Sequence, residues 1–341
     1  MLSFVNDYCE VAHESILKKL TEISLDKNPG YGTDKYCAMA QEKIRKACNA
    51  PTADVYFLVG GTQTNKTVID TCLKNYEGVV SANTGHINVH EAGAVEFTGH
   101  KVLGIPSHDG KICPKELEAY VSGFYKDGNH EHMIYPGMTY ISQPTEYGTL
   151  YSLAELEEIS RICKKYDMQL FVDGARLGYG LACQENDVTL PDLARLADVF
   201  YIGGTKVGAM FGEAVVFAGE KRPAHFITQV KQHGAMLAKG WLLGLQFDEL
   251  FTDNLYEKIA KNAIDTAIVL KKALKEKGYT FLVESPTNQI IVVLDNKRME
   301  ELSKQVNFSF WEVISEEKTA IRFCTSWATK MSDVLALTEI L

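Results

Sequence analysis

The stretch Tyr201-Ile202-Gly203-Gly204-Thr205-Lys206-Val207-Gly208 sets one lysine among glycines and between two apolar runs. The run before it, from Val199, reads as a buried strand, and the run after it, Ala214-Val215-Val216-Phe217, as another. A lysine in that setting is enclosed. Burial disfavours the ammonium form, and the neutral amine is the form that adds to a carbonyl. The same residues also read as a lysine that reaches from a strand end to solvent.

Upstream, the chain repeats this alternation of apolar run, polar turn and helix. Val55-Tyr56-Phe57-Leu58-Val59 reads as a strand, followed by Gly60-Gly61-Thr62-Gln63-Thr64-Asn65 and a helix over 64–75. Further strands are expected at 79–82, 101–104, 138–142 and 169–173, and a helix over 153–166, behind Ser152 with Glu155 in capping-box spacing. Strands alternating with helices predict an α/β fold with a mainly parallel sheet covered on both faces. Beyond Trp241 the pattern changes: a helix over 262–277 and strands at 280–283, 290–294 and 319–323 predict a smaller α+β unit. The expected organisation is an N-terminal helix and loop segment over 1–40, a large domain over 41–250 and a small C-terminal domain over 251–341.

Bulk composition narrows the function classes. Hydrophobic residues make up 46% and charged residues 23% of 341, the balance of a globular protein, and the formal net charge of -9 with no long basic run speaks against nucleic-acid binding. The most apolar window, 199–219, is broken by Gly203, Gly204, Lys206, Gly208, Gly212 and Glu213, a poor membrane span. The start lacks the spelling of a secretory signal, and the eight cysteines form no C-x-x-C pair and no metal-ligand spacing with histidine. A cytoplasmic protein with buried, unpaired cysteines and no metal is expected.

Open parallel sheets bind ligands beyond the carboxyl ends of their strands. Three strand ends carry unusual polar residues. Gly60-Gly61-Thr62 opens a helix, whose free N–H groups and dipole suit an anion; a purely structural helix start has the same spelling. In Leu170-Phe171-Val172-Asp173-Gly174-Ala175-Arg176, Asp173 ends an apolar strand, either as a helix cap or as the partner of a basic ring nitrogen. Lys206 is the third. A phosphate turn, a strand-end aspartate and an enclosed lysine together fit one ligand that has a phosphate, a basic ring nitrogen and an aldehyde: pyridoxal 5'-phosphate.

With these residues in order, the chain resembles the threonine aldolase and β-eliminating lyase family of fold-type-I pyridoxal-phosphate enzymes, of the low-specificity L-threonine aldolase type. The matching elements are Tyr31-Gly32, Gly60-Gly61-Thr62, His86 followed by Glu91 and Gly93, Asp173-Gly174-Ala175-Arg176, Thr205-Lys206 and Ile321-Arg322-Phe323. The resemblance implies an aspartate aminotransferase-like fold and a homodimer or homotetramer with a shared active site. It also implies that Lys206 carries the cofactor as a Schiff base, Asp173 meets the pyridine nitrogen, Gly61 and Thr62 hold the phosphate and His86 stacks on the ring. Arg176, beside the cofactor, and Arg322 would grip the substrate carboxylate, with the Asn6 position helping. His132 corresponds to a second active-site histidine across one gap, and Lys231 to a phosphate ligand supplied to a neighbouring subunit. The implied reaction is cleavage of L-threonine, L-allo-threonine or a related β-hydroxy amino acid to glycine and an aldehyde, with His86 or His132 as base. The alternative is β-elimination to pyruvate and ammonia. Asn6, Gln143-Pro144-Thr145-Glu146 and Ser326-Trp327 depart from the family's usual serine, Glu-Asn-Thr and histidine, and bear on the substrate.

Overall fold

The computed structural model describes residues 1–219 and 221–341. Its strands are β1 (Leu2–Ser3), β2 (Asp54–Leu58), β3 (Glu77–Ala82), β4 (Val102–Ile105), β5 (Tyr135–Ser142), β6 (Gln169–Asp173), β7 (Val199–Gly203), β8 (Glu213–Phe217), β9 (Thr280–Phe281), β10 (Gln289–Asp295), β11 (Val306–Asn307), β12 (Ser309–Val313) and β13 (Lys318–Cys324). Seven form one sheet in the order β2-β8-β7-β6-β5-β3-β4. β8 runs antiparallel to both its neighbours, and the remaining pairings are parallel.

Both faces of this sheet are covered, which is why its strands read as continuous apolar runs. Side chains alternate between two cores: Leu170, Val172, Phe200, Ile202, Ala214 and Val216 enter one. Phe171, Val199, Tyr201, Val215 and Phe217 enter the other. The helix Leu153–Lys165 starts with the expected capping box, Ser152 accepting from the Glu155 N–H and Glu155 reaching back to the Ser152 N–H. The helix after β2 spans Gly61–Cys72 and so begins three residues before the expected start, because Gly60 serves as its N-cap without a side chain.

The second sheet is antiparallel, in the order β12-β13-β10-β9, and shares a core with the helices Leu255–Glu276 and Met331–Ile340 through Leu270, Leu274, Val292, Ile321, Phe323 and Val334. β12 was not expected from the sequence. The N-terminus reaches this unit rather than lying only on the large one: β1 pairs with β11, and the Cys324 N–H donates to the Phe4 carbonyl at 2.9 Å. That path carries the next residues, Asn6 to Tyr8, past the carboxyl ends of the large sheet's strands. Among the described residues no helix is long and apolar enough to cross a membrane. The cysteines are all free thiols; five are buried as expected, while Cys9 is exposed.

Candidate active site

The carboxyl ends of β2, β6 and β7 and the amino end of β8 open into a cavity of about 770 Å³, whose wall includes Gly61, Thr62, His86, Arg176, Lys206 and Arg322. An inner recess of about 40 Å³ continues from it to Asp173, Asn65 and Tyr201. Seven of the ten candidate residues from the sequence thus meet at one place: Gly61, Thr62, His86, Asp173, Arg176, Lys206 and Arg322.

Asp173 forms the floor. Its Oδ2 accepts from the Tyr140 hydroxyl and from Asn65 Nδ2 at 3.0 Å; its Oδ1 accepts from the Tyr201 hydroxyl and from the Ala175 N–H at 2.9 Å. Burial alone would push this carboxyl up, but the two tyrosine hydroxyls, with His86 and the Ala175 N–H, outweigh it and hold Asp173 below its ordinary range. The recess therefore keeps a negative charge. Close packing of β6 on β7 makes this corner tight, since a Cβ on Gly174 would lie 1.9 Å from the Tyr201 carbonyl oxygen.

Lys206 projects into both cavities from the turn after β7. That turn is pinned on either side. The Tyr179 hydroxyl donates to the Lys206 carbonyl, and Tyr256 donates to the Gly203 carbonyl at 2.8 Å while accepting from the Gly178 N–H at 3.0 Å. Burial and the Arg176 charge hold the amine below its usual range, against the pull of Asp7, Asp173 and Glu213. The amine lies 6.0 Å over the ring of Tyr8.

His86 follows β3 at the cavity wall, its Nδ1 2.7 Å from Glu91 Oε1. The same Glu91 oxygen accepts from Asn65 Nδ2 at 2.7 Å, so one chain of hydrogen bonds runs from His86 to Asp173. The buried carboxylate selects the tautomer with the proton on Nδ1 and leaves Nε2 as the imidazole's acceptor. The His86 N–H donates at 2.9 Å to Glu146, a buried carboxyl that burial pushes up. A second imidazole, His90, lies 5.6 Å from the His86 ring and lines the same cavity. Burial, His86 and Arg322 hold His90 below its usual range.

The two arginines are held by different partners. Arg176, expected to grip a substrate carboxylate, donates through Nε and Nη2 to buried Asp7 at 2.7 and 3.0 Å, which occupies one edge of the guanidinium and leaves the Nη1 donors without a partner among the described residues. Asn288 donates to the same Asp7 at 2.9 Å. Burial would raise the Asp7 carboxyl, yet Arg176, Lys206 and these hydrogen bonds bring it down to about 2. Arg322, on β13, donates to Gln289 at 2.9 Å and to Ser309 at 3.3 Å, and its guanidinium lies 5.5 Å over the Trp311 ring. Its buried Nε–H has no partner among the described residues.

Two expected residues lie elsewhere. Asn6 is not in the cavity wall: its Oδ1 closes a local turn with the Tyr8 N–H at 3.0 Å, and it is Tyr8 that lines the site, with Asp7 buried against Arg176. His132 stands exposed on the short turn His130–His132 before β5, whereas the site lies at the other end of that eight-residue strand. A strand of that length separates the two by about 25 Å. Lys231, expected to serve a neighbouring subunit's phosphate, lies outside this chain's own cavity, with its amine 4.8 Å over the ring of Tyr31. Asp7, Tyr140, Tyr201, His90 and Glu213 were missed by the sequence reading, and Glu91 was read only as part of the His86 motif, without a role. The spelling His86-x-x-x-His90-Glu91 was a signal that could have added His90.

A helix start without a side-chain cap, a carboxylate held below its ordinary range in a recess and an amine whose proton burial loosens form the donor set for pyridoxal phosphate. Gly61 supports the fit, since a Cβ there would stand 3.3 Å from the Tyr201 hydroxyl, inside the recess. The sheet order and the site at its carboxyl edge define an aminotransferase-like, fold-type-I pyridoxal-phosphate enzyme. Comparison with known proteins agrees: a Thermus thermophilus aspartate aminotransferase mutant superposes with a TM-score of 0.74 at 14% identity, covering 99% of this chain and 90% of that one. The profile of the beta-eliminating lyase family matches residues 7–297, and the chain belongs to that family, whose members are pyridoxal-phosphate-dependent lyases. A structure of Leishmania major threonine aldolase is 40% identical with a TM-score of 0.96, covering 100% of this chain and 98% of that one. A low specificity L-threonine aldolase of a Pseudomonas species is 28% identical over 312 residues, covering 90% of this chain and 87% of that protein.

Proposed function

We propose that this enzyme cleaves L-threonine, L-allo-threonine or a related β-hydroxy amino acid to glycine and an aldehyde. The observation that carries this reading is the anchored imidazole of His86 in the same cavity as Lys206, Asp173 and Arg322. Bound pyridoxal phosphate supplies the electron sink for a bond broken at the substrate Cα. Lys206 is the residue that holds it covalently, Gly61 and Thr62 take its phosphate, and Asp173 keeps its ring nitrogen protonated.

The protein's own groups do the rest. Arg322 anchors the substrate carboxylate through guanidinium donors backed by Gln289 and Trp311. Arg176, braced by Asp7 along one edge, lowers the Lys206 pKa and offers its remaining donors to the same carboxylate. His86, with Nδ1 committed to Glu91, accepts the β-hydroxyl proton at Nε2, directly or through a water; His90 is the alternative acceptor in the same wall. As that proton leaves, the hydroxyl oxygen becomes the aldehyde oxygen, the Cα–Cβ bond breaks, and a proton returned to Cα completes glycine. A neighbouring copy of the chain closing the open side of the cavity, as a dimer or tetramer, belongs to the same proposal, as does a cytoplasmic location.

The test is product analysis with cofactor-loaded protein. Equal amounts of glycine and acetaldehyde from L-threonine or L-allo-threonine are expected. 2-Oxobutanoate and ammonia in their place, the products of eliminating water from threonine, would overturn the proposal in favour of β-elimination.

A further inference from the structure

Glu213 is a buried acid that the proposed reaction does not use, although it lies in the cavity wall with Gly61, Thr62, Thr205 and Lys206. It is the first residue of β8, and its neighbours across the sheet are Leu58 on β2 and Gly203 on β7. Those two strand ends run directly into the Gly60-Gly61-Thr62 turn and the Gly204-Thr205-Lys206 turn, so the antiparallel insertion of β8 sets a carboxyl between the anion turn and the lysine. Its Oε1 accepts from the Thr205 hydroxyl at 2.7 Å and its Oε2 from the Gly204 N–H at 3.1 Å.

A carboxylate at that place would repel a bound dianion across a water-poor wall. The charges around it do not cancel the problem. Lys206 favours the ionised form, Asp173 at the end of β6 opposes it, and the Tyr201 and Tyr256 hydroxyls that feel it are neutral. Arg176 shares the cavity but is neutralised by Asp7, and the helix Trp241–Leu250 presents Leu243 and Phe247 around Gly212. Leu58 on β2 is apolar.

Resting on the cofactor reading above, we propose that Glu213 belongs to the phosphate cup and admits the cofactor phosphate only as a neutral carboxylic acid. Burial as the leading cause pushes this carboxyl up to about 8, so the neutral form is available at pH 7. Binding then draws one proton from solvent onto Glu213 when the pH is above that value. By linkage, cofactor affinity falls about tenfold per pH unit beyond it.

The experiment measures the Kd of the apoprotein for pyridoxamine phosphate, which forms no Schiff base with Lys206, by fluorescence quenching between pH 7 and 9.5. Wild type is compared with Glu213→Gln, so that the ligand's own titration and that of Lys206 are common to both. The expected result is similar affinity at pH 7 and a wild-type Kd that rises by a further ~30-fold by pH 9.5, with proton uptake at pH 9 about one greater than in the variant. Parallel profiles with equal proton uptake would overturn the proposal, as would a Gln variant that binds weakly at every pH. Glu213→Met, also unable to ionise, serves if the Gln variant does not fold. Failure of wild type to bind pyridoxamine phosphate at any pH would instead overturn the cofactor reading itself, and this one with it.

Discussion

Replacing Asp7 by Asn tests whether the Arg176–Asp7 pair is part of the site's frame. The pair is sealed: Asp7 is 0% and Arg176 9% exposed, and the two hydrogen bonds between them are 2.7 and 3.0 Å. The substitution removes the negative charge and turns an acceptor toward a donor, leaving a guanidinium buried without a counterion. Breaking such a pair from one side costs about 3–5 kcal/mol. The carboxyl's own titration gives a consistent scale. A fall from 3.8 to about 2 corresponds to roughly 2 kcal/mol at 1.36 kcal/mol per pKa unit. Because the folded value is depressed, that contribution is fully present above pH 4 and is lost as the pH falls through about 2. Guanidinium unfolding at pH 7 and fixed protein concentration should show Asp7→Asn destabilised by about 3 kcal/mol, with the gap to wild type narrowing only below pH 4. Adding Arg176→Met should restore at least about 1 kcal/mol, since removing both charges is milder than orphaning one. A single variant within 0.5 kcal/mol of wild type, or a double variant worse than the single, would refute the reasoning.

Further outcomes follow from the same geometry. Arg322→Ala should raise KM for the amino acid by roughly 10–100-fold, about 1.5–3 kcal/mol for a charged hydrogen-bonded anchor, with kcat less affected; an unchanged KM removes it as the carboxylate anchor. His86→Asn should lower kcat by about 10²–10⁴-fold and His90→Asn by much less, and steady-state rates with the order reversed would transfer the base to His90. Tyr201→Phe strips one of four hydrogen bonds from Asp173, about 1.5–3 kcal/mol to a charged acceptor, so the Asp173 carboxyl rises toward its ordinary range. The acid limb of cofactor binding should move up by about 1–2 pH units, and a limb that stays in place would show that Tyr201 does not tune Asp173.

Much of the scaffold was readable because burial on both faces writes a strand as an unbroken apolar run; β6 and β7 are such cases. The antiparallel place of β8 was not, since Ala214-Val215-Val216-Phe217 has the same composition whichever way it runs. β12 escaped because three of its five residues are only partly buried and the other two exposed. In the site, Lys206, Asp173 and Gly61 were legible from their positions at strand ends. The pairing of Arg176 with Asp7 was not, because the two are 169 residues apart and nothing local signals it. His132 was assigned by likeness of sequence, and the length of β5 carries it away from this cavity. Glu213 registered only as a break in an apolar window, since a buried acid and a membrane-span interruption look alike in one dimension.

Borohydride reduction of the cofactor-loaded protein, followed by peptide mapping, examines the assignment on which everything else rests. The reduced cofactor should be found on the peptide containing Lys206, and Lys206→Ala should retain none. A label on any other lysine, or its persistence in Lys206→Ala, would contradict the assignment of this cavity as the active site.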